Sequence, residues 1–404
     1  MKNGKYVLTK IAFAVLIGYR FFMWDDNKII TYSYVIFEFL SAIVLFMKLQ
    51  WKFKITKEYL TVFVLETYIL ILTAIDKGIT YSYLCLYIAE LLICLYITSC
   101  YKKKINELIS LLSGALIILF VIDVASIVIV LITGNHTNDS FGIVGHKNYH
   151  AFFFILVIGL NVLNNYIKKT VLFDIKTIAI SIVSVIVEFI VHSASGIVAV
   201  TLMLVLFYLM PIKRIKLFRF NIFITVLLTA SILLVLGFTN RGLVNILALL
   251  GRDSGFTGRA AIWKNALELL NQRYLYGYGF YKTVRVYFVD LGWVNNHCHN
   301  FFLNLMISGG IFYSAIMIII LYKTGKEVDD TCIDYNYILT TILSCYLLLG
   351  ISEIIVNVNT MLFPLLLLCV YCKEFKKQNI SQKSKTLRVF KHFHKRGARK
   401  ISGR

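Results

Sequence analysis

The residues best suited to acid–base chemistry form one short segment, Asn295-Asn296-His297-Cys298-His299-Asn300, directly before an apolar run. A histidine can take up a proton near neutral pH, so this segment could supply a general base. The alternative is a polar helix start, with Asn296 or Asn300 as the cap and solvated histidines. A metal site is less favoured, because a His-x-His pair points to one side only in an extended segment and Asp290 is the nearest carboxylate.

A second group combines arginines with an aromatic side chain. Arg252 lies in Gly251-Arg252-Asp253, while Arg259 and Trp263 follow Gly258. One guanidinium group can bind two phosphate oxygens at the same time, and an indole face can stack on a sugar ring. A phosphorylated, sugar-bearing lipid would need this combination. Alternatively, the arginines bind lipid headgroups without specificity and Trp263 is an interfacial aromatic residue.

Two further clusters are candidates for a polar site. Gly142 to His150 reads GIVGHKNYH, where Lys147 could meet a pyrophosphate as a point charge or could extend towards lipid headgroups. His192-Ser193-Ala194-Ser195-Gly196 forms a predicted turn. Four carboxylates at membrane depth would suit proton coupling in a transporter, or would pair with neighbouring helices: Glu38, Glu66, Glu90 and Glu188.

The composition requires a lipid environment for these groups. Hydrophobic residues make up 59% of the 404 residues, charged residues 16%, and the mean hydropathy is +0.76, which excludes an ordinary soluble protein. A net charge of +21 would suggest nucleic acid in a soluble chain. Here the basic residues cluster between apolar runs, a pattern that reflects membrane topology, so no nucleic-acid partner is expected.

The apolar runs of the sequence predict an all-α, polytopic integral membrane protein. A spanning helix needs about 20 apolar residues. Twelve candidates are centred near residues 14, 38, 67, 89, 120, 155, 183, 203, 229, 311, 343 and 363. Alternate connections carry the lysines and arginines, for example Lys102 to Lys104, so both termini are predicted to be cytoplasmic. The predicted location is the bacterial plasma (inner) membrane.

One long external loop is predicted between helices 9 and 10, and within it Arg259–Gln272 has apolar residues at helical spacing. We expect an amphipathic helix on or near the membrane surface, followed by the helix breakers Gly277 and Gly279. The predicted organisation is residues 1–132 (helices 1–5), 133–239 (helices 6–9), 240–298 (external loop), 299–372 (helices 10–12) and 373–404 (a basic cytoplasmic tail that touches anionic lipid).

Taken in order, three stretches resemble the family of O-antigen ligases and polysaccharide polymerases, multi-pass membrane glycosyltransferases of the Wzy and WaaL type. The resemblance covers roughly residues 140 to 320. It rests on Gly145-His146-Lys147-Asn148 with Ala151; Gly258-Arg259 with Ile262, Trp263, Ala266 and Leu267, then Gly277-Tyr278-Gly279; and His299-Asn300 with Phe302-Leu303, then Gly309-Gly310-Ile311. The chain departs from the family at Ala194, where many members have arginine or lysine; His192, Arg241 or Arg252 could supply that charge.

The resemblance implies metal-independent glycosyl transfer without a cofactor, from an undecaprenyl-pyrophosphate-linked oligosaccharide to a second lipid-linked repeat unit. It makes His299 the general base and Arg259 the pyrophosphate ligand, as catalytic residues. Other predicted substrate contacts are Lys147, Asn148, Arg252, Trp263, His297 and Asn300. Membrane lipids, a chain-length regulator and a flippase are further expected partners. The rivals are a ligase that transfers the finished glycan to lipid A core or protein, and a lipid-linked-sugar flippase or transporter.

Overall fold

The protein is built almost entirely from helices. A computed structural model describes residues 2–22, 28–76, 81–134, 140–142, 144–168, 171–209, 219–239, 259–279, 286–288, 293–295, 298–329, 333–351 and 359–371. Its helices are α1 (Lys2–Phe22), α2 (Lys28–Lys48), α3 (Lys57–Asp76), α4 (Tyr81–Thr133), α5 (Lys147–Ile167), α6 (Ile175–Ile190), α7 (Ala194–Leu209), α8 (Phe220–Thr239), α9 (Arg259–Gln272), α10 (Phe301–Asp329), α11 (Ile333–Leu349) and α12 (Asn359–Val370).

Two short antiparallel hairpins amend the all-α prediction. Strands β1 (Ser140–Phe141) and β2 (Gly145–His146) pair with Ser140 opposite His146. Strands β3 (Val286–Phe288) and β4 (Trp293–Asn295) pair with Val286 opposite Asn295. Both hairpins fall in segments that the sequence places outside the membrane, so the predicted helical membrane region is unaffected.

The helices agree with a polytopic membrane protein. Within the described residues, five are long and apolar enough to cross a membrane: Lys57–Asp76, Ile105–Thr133, Lys147–Ile167, Phe220–Gly237 and Phe301–Asp329. All twelve predicted centres fall within described helices. The count of twelve spans and the cytoplasmic termini stay predictions, because several of the other apolar helices are shorter than a full span.

Helix α4 is one continuous run of 53 residues, although the sequence predicts two spans joined near Lys102 to Lys104. Two contacts join α1 to this run. The Phe13 ring lies 5.0 Å from the Tyr96 ring, and the Lys10 side chain covers Gly114, where a Cβ would lie 2.7 Å from Lys10 Cε. The connection near Lys102 to Lys104 stays a prediction.

Helix α5 is the central helix of the bundle. It is buried on every side from His150 to Asn165, and its middle, Ala151 to Leu160, is entirely apolar. Helices α4, α6, α7 and α11 pack around it. At Gly159 a Cβ would collide with Ile342 of α11, so the small residue allows a close approach between the two helices. Residues at the start of α5 are thereby held in a rigid frame.

Helix α10 breaks at Gly310, where φ is 70° and ψ is −172°. The break leaves backbone groups without helical partners, and the segment after α9 supplies new ones. Tyr278 N donates to Ile307 O at 2.8 Å, Gly279 N donates to Ser308 O at 2.7 Å, and Ile311 N donates to Tyr274 O at 2.8 Å. The two glycine motifs of the family resemblance therefore contact each other. Their pairing satisfies irregular backbone inside the protein, as a membrane environment requires.

The end of α3 fixes the other side of this segment. Tyr68 Oη donates to Tyr276 O at 3.2 Å, and Arg273 Nη1 contacts Asp76 Oδ1 at 2.9 Å. The Arg273 guanidinium also lies 4.9 Å from the centre of the Tyr278 ring. One of the loop arginines therefore has a structural role, the attachment of the α9–α10 connection to α3.

Candidate functional site

His299 lies in a strained turn directly before α10. Its φ is 45°, a left-handed conformation that costs a non-glycine residue about 1–2 kcal/mol. The strain is maintained because both neighbours are anchored. Trp263 Nε1 donates to Cys298 O at 2.8 Å, and Asn300 is fully buried. A partly exposed imidazole is thus presented in one fixed position, as a general base needs.

Asn300 fixes the turn through three hydrogen bonds. Its Oδ1 accepts from Leu303 N at 3.0 Å, which caps α10, and from Ser231 Oγ of α8 at 2.9 Å. Its Nδ2 donates to Ile351 O at 3.1 Å. The helix-cap alternative therefore describes Asn300 well. A direct contact between Asn300 and substrate stays a prediction, but this side chain already ties together α8, α10 and the end of α11.

Trp263 differs from the exposed stacking platform that the sequence suggested. Its side chain is 1% exposed, so neither ring face is open to a sugar in this structure. It packs in a small apolar core with residues of α8, α9 and α10: Val235, Ile262, Ala266, Leu270, Tyr278, Cys298, Leu303 and Ile307. The indole instead anchors the backbone beside His299.

Helix α9 has the bounds that the periodicity predicts, Arg259–Gln272. Its apolar face packs on α8 and α10, where the small core around Trp263 covers it. A position on or near the membrane surface stays a prediction. Trp263 joins this helix to the backbone of Cys298, directly before His299.

Arg259 begins α9 and is partly exposed. It precedes Trp263 by one helical turn, so the two residues share a helix face. That face is the one held against Cys298 by the indole hydrogen bond. The approach of the Arg259 side chain to the His299 turn stays a prediction. The other two predicted contacts of this region, Arg252 and His297, lie outside the described residues.

Cys298 is not a second reactive group in this turn. It is fully buried, and burial raises the pKa of its thiol to about 12. The thiol therefore stays protonated at neutral pH and is a poor nucleophile or metal ligand. Among the residues that the structure describes, no group of three His, Cys, Asp or Glu side chains could hold a metal ion. Metal independence stays a prediction.

Lys147 lies in a turn that Asp123 of α4 holds on both sides. Asp123 Oδ1 accepts from Val144 N at 3.2 Å, and Asp123 Oδ2 lies 3.1 Å from His150 Nδ1. Asp123 and His150 are both fully buried. Val144 and His150 each stand three residues from Lys147, so this buried carboxylate fixes the entry into α5. Asp123 is thus a positioning residue for the predicted pyrophosphate ligand.

One feature of the sequence marks Asp123, and another marks His150, as a residue with a specific role. Asp123 is an isolated carboxylate in a long apolar run, and such a residue needs a partner in a membrane protein. His150 falls at the end of the GIVGHKNYH cluster. Their pairing across 27 positions of the chain depends on how α4 and α5 pack, which periodicity does not give.

Asn148 connects the Lys147 turn to the turn between α6 and α7. Ser193 Oγ donates to Asn148 Oδ1 at 3.2 Å and accepts from Gly196 N at 3.2 Å, which caps α7. The buried Glu188 carboxylate fills the space at Gly196, where a Cβ would collide with it. The His192-to-Gly196 motif therefore serves as a structural support for Asn148.

The Lys147 turn and the His299 turn lie at the same end of the bundle. The ring of Phe152, in the second turn of α5, lies 5.1 Å from the Tyr346 ring near the end of α11. Directly after α11, Gly350 O accepts from Phe301 N at 2.6 Å. The starts of α5, α7 and α10 and the end of α11 thus converge. A cation that can bind pyrophosphate and an imidazole that can bind a proton share this end.

Substitution of Asp123 by leucine is expected to weaken donor binding. The change leaves buried Val144 N–H and His150 without their acceptor, at a cost of about 3 kcal/mol in stability. It also frees the Lys147 turn, so the KM for a lipid-pyrophosphate donor should rise about tenfold, the effect of one lost cation–phosphate contact. Steady-state kinetics in detergent would measure it. Asp123→Asn retains an acceptor for Val144 N, so its KM for the donor should lie between those of wild type and Asp123→Leu. A loss of kcat with an unchanged KM would show that Asp123 does not position the donor-binding lysine.

Substitution of Trp263 by phenylalanine is expected to reduce turnover more than stability. It keeps an aromatic ring in the small core but removes the bond to Cys298 O, which costs about 1 kcal/mol. Because Cys298 precedes His299, the base becomes less well placed and kcat should fall about tenfold. Thermal unfolding and turnover, measured on the same sample, separate the two effects. Trp263→Ala, which creates a cavity, should unfold far earlier than Trp263→Phe.

The motifs and the architecture agree with a comparison with known families. Residues 179–318 match the family model described as O-antigen ligase, Wzy_C. No curated protein and no solved structure matches the chain. The matched segment includes α9, the strained His299 turn and the break in α10, and so holds two of the three sequence motifs. The motif from Gly145 to Ala151 lies outside it. The protein is therefore a chain with membrane-type helices in which residues 179–318 match the O-antigen ligase domain model.

Proposed function

We propose that this protein is a polysaccharide repeat-unit polymerase of the O-antigen or capsule type. It transfers a glycan from undecaprenyl pyrophosphate to a second lipid-linked repeat unit on the outer face of a bacterial plasma membrane. The observation that carries the proposal is the strained His299 turn, which Trp263 and Asn300 hold inside the O-antigen ligase domain. A partly exposed imidazole in a fixed position suits the activation of an acceptor hydroxyl.

The proposed reaction is a direct displacement at the anomeric carbon of the donor sugar. The acceptor oxygen forms a bond to that carbon and gives its proton to His299. The bond from the anomeric carbon to pyrophosphate breaks, and the electron pair leaves with undecaprenyl pyrophosphate. Arg259 stabilises the leaving negative charge, with Lys147 and Arg252 as further cations. The anomeric configuration is inverted.

The ligase alternative has one specific observation in its favour. The matching family model is itself described as O-antigen ligase. In that alternative the same groups activate a hydroxyl of lipid A core or of a protein, and the donor is the finished chain. The chemistry at His299 and Arg259 is the same, so the two functions differ in the acceptor and not in the reacting groups.

The transporter alternative has less support. Its coupling groups would be the carboxylates at membrane depth, and in this structure these are enclosed by protein: Glu38 is 5% exposed, Glu66 2%, Glu90 1% and Glu188 0%. A partly exposed imidazole in a strained external turn has no evident use in transport. The polymerase therefore explains more of the observed geometry.

Glycans of a strain that lacks the protein would decide among these functions. The surface polysaccharide and the lipid-linked intermediates would be extracted and the repeat units on each glycan counted. The polymerase predicts single lipid-linked units and no long chains. Long chains that accumulate on the lipid carrier would indicate the ligase, and single units held on the cytoplasmic face would indicate a flippase.

A further inference from the structure

A groove opens at the end of α5 opposite the Lys147 turn, between the last turn of α5 and the first turn of α6. Its volume is about 890 Å³. Asparagines, two lysines, one aspartate and several apolar residues line it: Asn161, Asn164, Asn165, Lys168, Val171, Phe173, Asp174, Ile175, Lys176, Ile178 and Ala179. The sequence places this end of the bundle on the cytoplasmic side. It takes no part in the site around His299.

Most polar groups in the floor of the groove are satisfied internally. Thr177 Oγ1 accepts from Asn161 Nδ2 at 2.7 Å and from Asn165 Nδ2 at 3.0 Å. Asp174 caps α6 by accepting from Thr177 N at 2.9 Å and also accepts from the Thr177 hydroxyl. The carboxylate is therefore engaged with α6, and its hydrogen-bonding capacity is largely used.

One polar atom in the groove is left without a partner. Asn164 is 8% exposed, and its Oδ1 has no hydrogen bond within the described residues. A buried acceptor of this kind costs about 1–3 kcal/mol unless a donor reaches it. Since Asn164 lines the groove, an occupant that carries a hydroxyl could supply that donor.

The groove is also positively charged at its rim. Lys168 and Lys176 are both exposed, and Lys176 lies within electrostatic range of Lys168 and of Lys10 from α1. The two lysines of the groove, with Lys10 near Lys176, thus outnumber the one aspartate, which is already engaged with Thr177. An anionic occupant would relieve the mutual repulsion of the lysines, whereas a cationic headgroup would add to it.

An apolar stripe extends from the groove along α6. Ile175 is 88% exposed, Ile178 45%, Ile182 55% and Ile186 51%. Their spacing of three or four residues puts them on one helix face. In a membrane that face meets acyl chains. The groove therefore joins a polar, positively charged pocket to a surface suited to hydrocarbon.

We propose that this groove binds an anionic glycerophospholipid whose headgroup carries a free hydroxyl, of the phosphatidylglycerol class. The phosphate lies between Lys168 and Lys176, the headgroup hydroxyl donates to Asn164 Oδ1, and the acyl chains follow the isoleucines of α6. A phosphatidylethanolamine ammonium would be repelled by the lysines, and phosphatidic acid lacks a headgroup with an alcohol hydroxyl beyond its phosphate. The proposal is independent of the glycosyl transfer reaction.

The test is a competition experiment on the full-length protein in detergent. A phosphatidylglycerol with a fluorescent acyl chain is the probe, and unlabelled phosphatidylglycerol, phosphatidic acid, phosphatidylethanolamine and inorganic phosphate are the competitors. The double substitution Lys168→Gln and Lys176→Gln is expected to weaken probe binding about tenfold or more. The matched control is Lys52→Gln with Lys57→Gln, which removes two exposed lysines from the same end of the bundle outside the groove and should leave binding unchanged.

A second variant tests the hydroxyl contact without a change in charge. Asn164→Leu should remove about a fivefold preference for phosphatidylglycerol over phosphatidic acid, the value of one hydrogen bond. An equal loss of probe affinity in the Lys168→Gln, Lys176→Gln variant and in the lysine control would overturn the site. A wild-type protein that binds phosphatidylglycerol no better than the other lipids would also overturn it. Displacement of the probe by inorganic phosphate at similar concentration would show a soluble-anion site instead of a lipid site. Unchanged thermal unfolding of each variant confirms that the fold is intact.

Discussion

His299→Gly is expected to lower the rate of glycan chain elongation by about 10²- to 10⁴-fold, the usual contribution of a general base. Glycine accepts the φ of 45° at this position without strain, so the amount of folded protein should not fall. Elongation is measured with purified protein and lipid-linked repeat units. Only the loss of the imidazole then separates the variant from wild type, because the anchors at Cys298 and Asn300 are retained.

Chemical rescue provides the control for this substitution. The missing side chain leaves space for free imidazole beside the acceptor, so added imidazole should restore part of the activity of His299→Gly. The same imidazole should not change the wild-type rate. Unchanged elongation by His299→Gly would remove His299 from the mechanism. A loss that imidazole does not restore, together with a lower unfolding temperature, would assign His299 to structure alone.

Gly310→Ala is expected to have the largest effect on stability. Gly310 has a φ of 70° and a ψ of −172°, a conformation that is essentially restricted to glycine and costs alanine about 1–3 kcal/mol. Its new Cβ would also collide with the backbone of Leu275 and Tyr276. The neighbours that must move are backbone atoms held by the hydrogen bonds between the α9–α10 connection and the broken helix. The total loss should reach about 3 kcal/mol or more, seen as a lower unfolding temperature in detergent.

A matched glycine separates the collision from the backbone strain. Gly134 has a φ of 69°, and no atom lies within 4 Å of a Cβ placed there. Gly134→Ala should therefore cost only the strain, about 1 kcal/mol, and should elongate glycans normally. If Gly310→Ala and Gly134→Ala unfold at the same temperature, the pairing of the two glycine motifs does not stabilise the protein.

The sequence predicted the elements of this site well where local periodicity controls them. The bounds of α9 follow from apolar residues at helical spacing, and the cap at Asn300 follows from an amide directly before an apolar run. Each of these features depends on residues within one or two turns of each other, which is the range that a sequence pattern covers.

The contacts that position the site could not be predicted in the same way. Periodicity identifies the apolar face of α9, but it does not say whether lipid or protein covers that face, so Trp263 was expected to be open to a sugar. Asp123 reaches His150 only because α4 and α5 pack together. The break at Gly310 and the residues that fill it are likewise separated along the chain. Tertiary packing, and not local propensity, decides these contacts.

The central claim is that the groups at the His299 end of the bundle extend a glycan by themselves. The most direct measurement uses purified protein in detergent, supplied with lipid-linked repeat units and with no ion gradient. We predict a ladder of products with increasing numbers of repeat units, accompanied by release of undecaprenyl pyrophosphate and absent with His299→Gly. Single units that remain unchanged after incubation with folded wild-type protein would contradict the polymerase account.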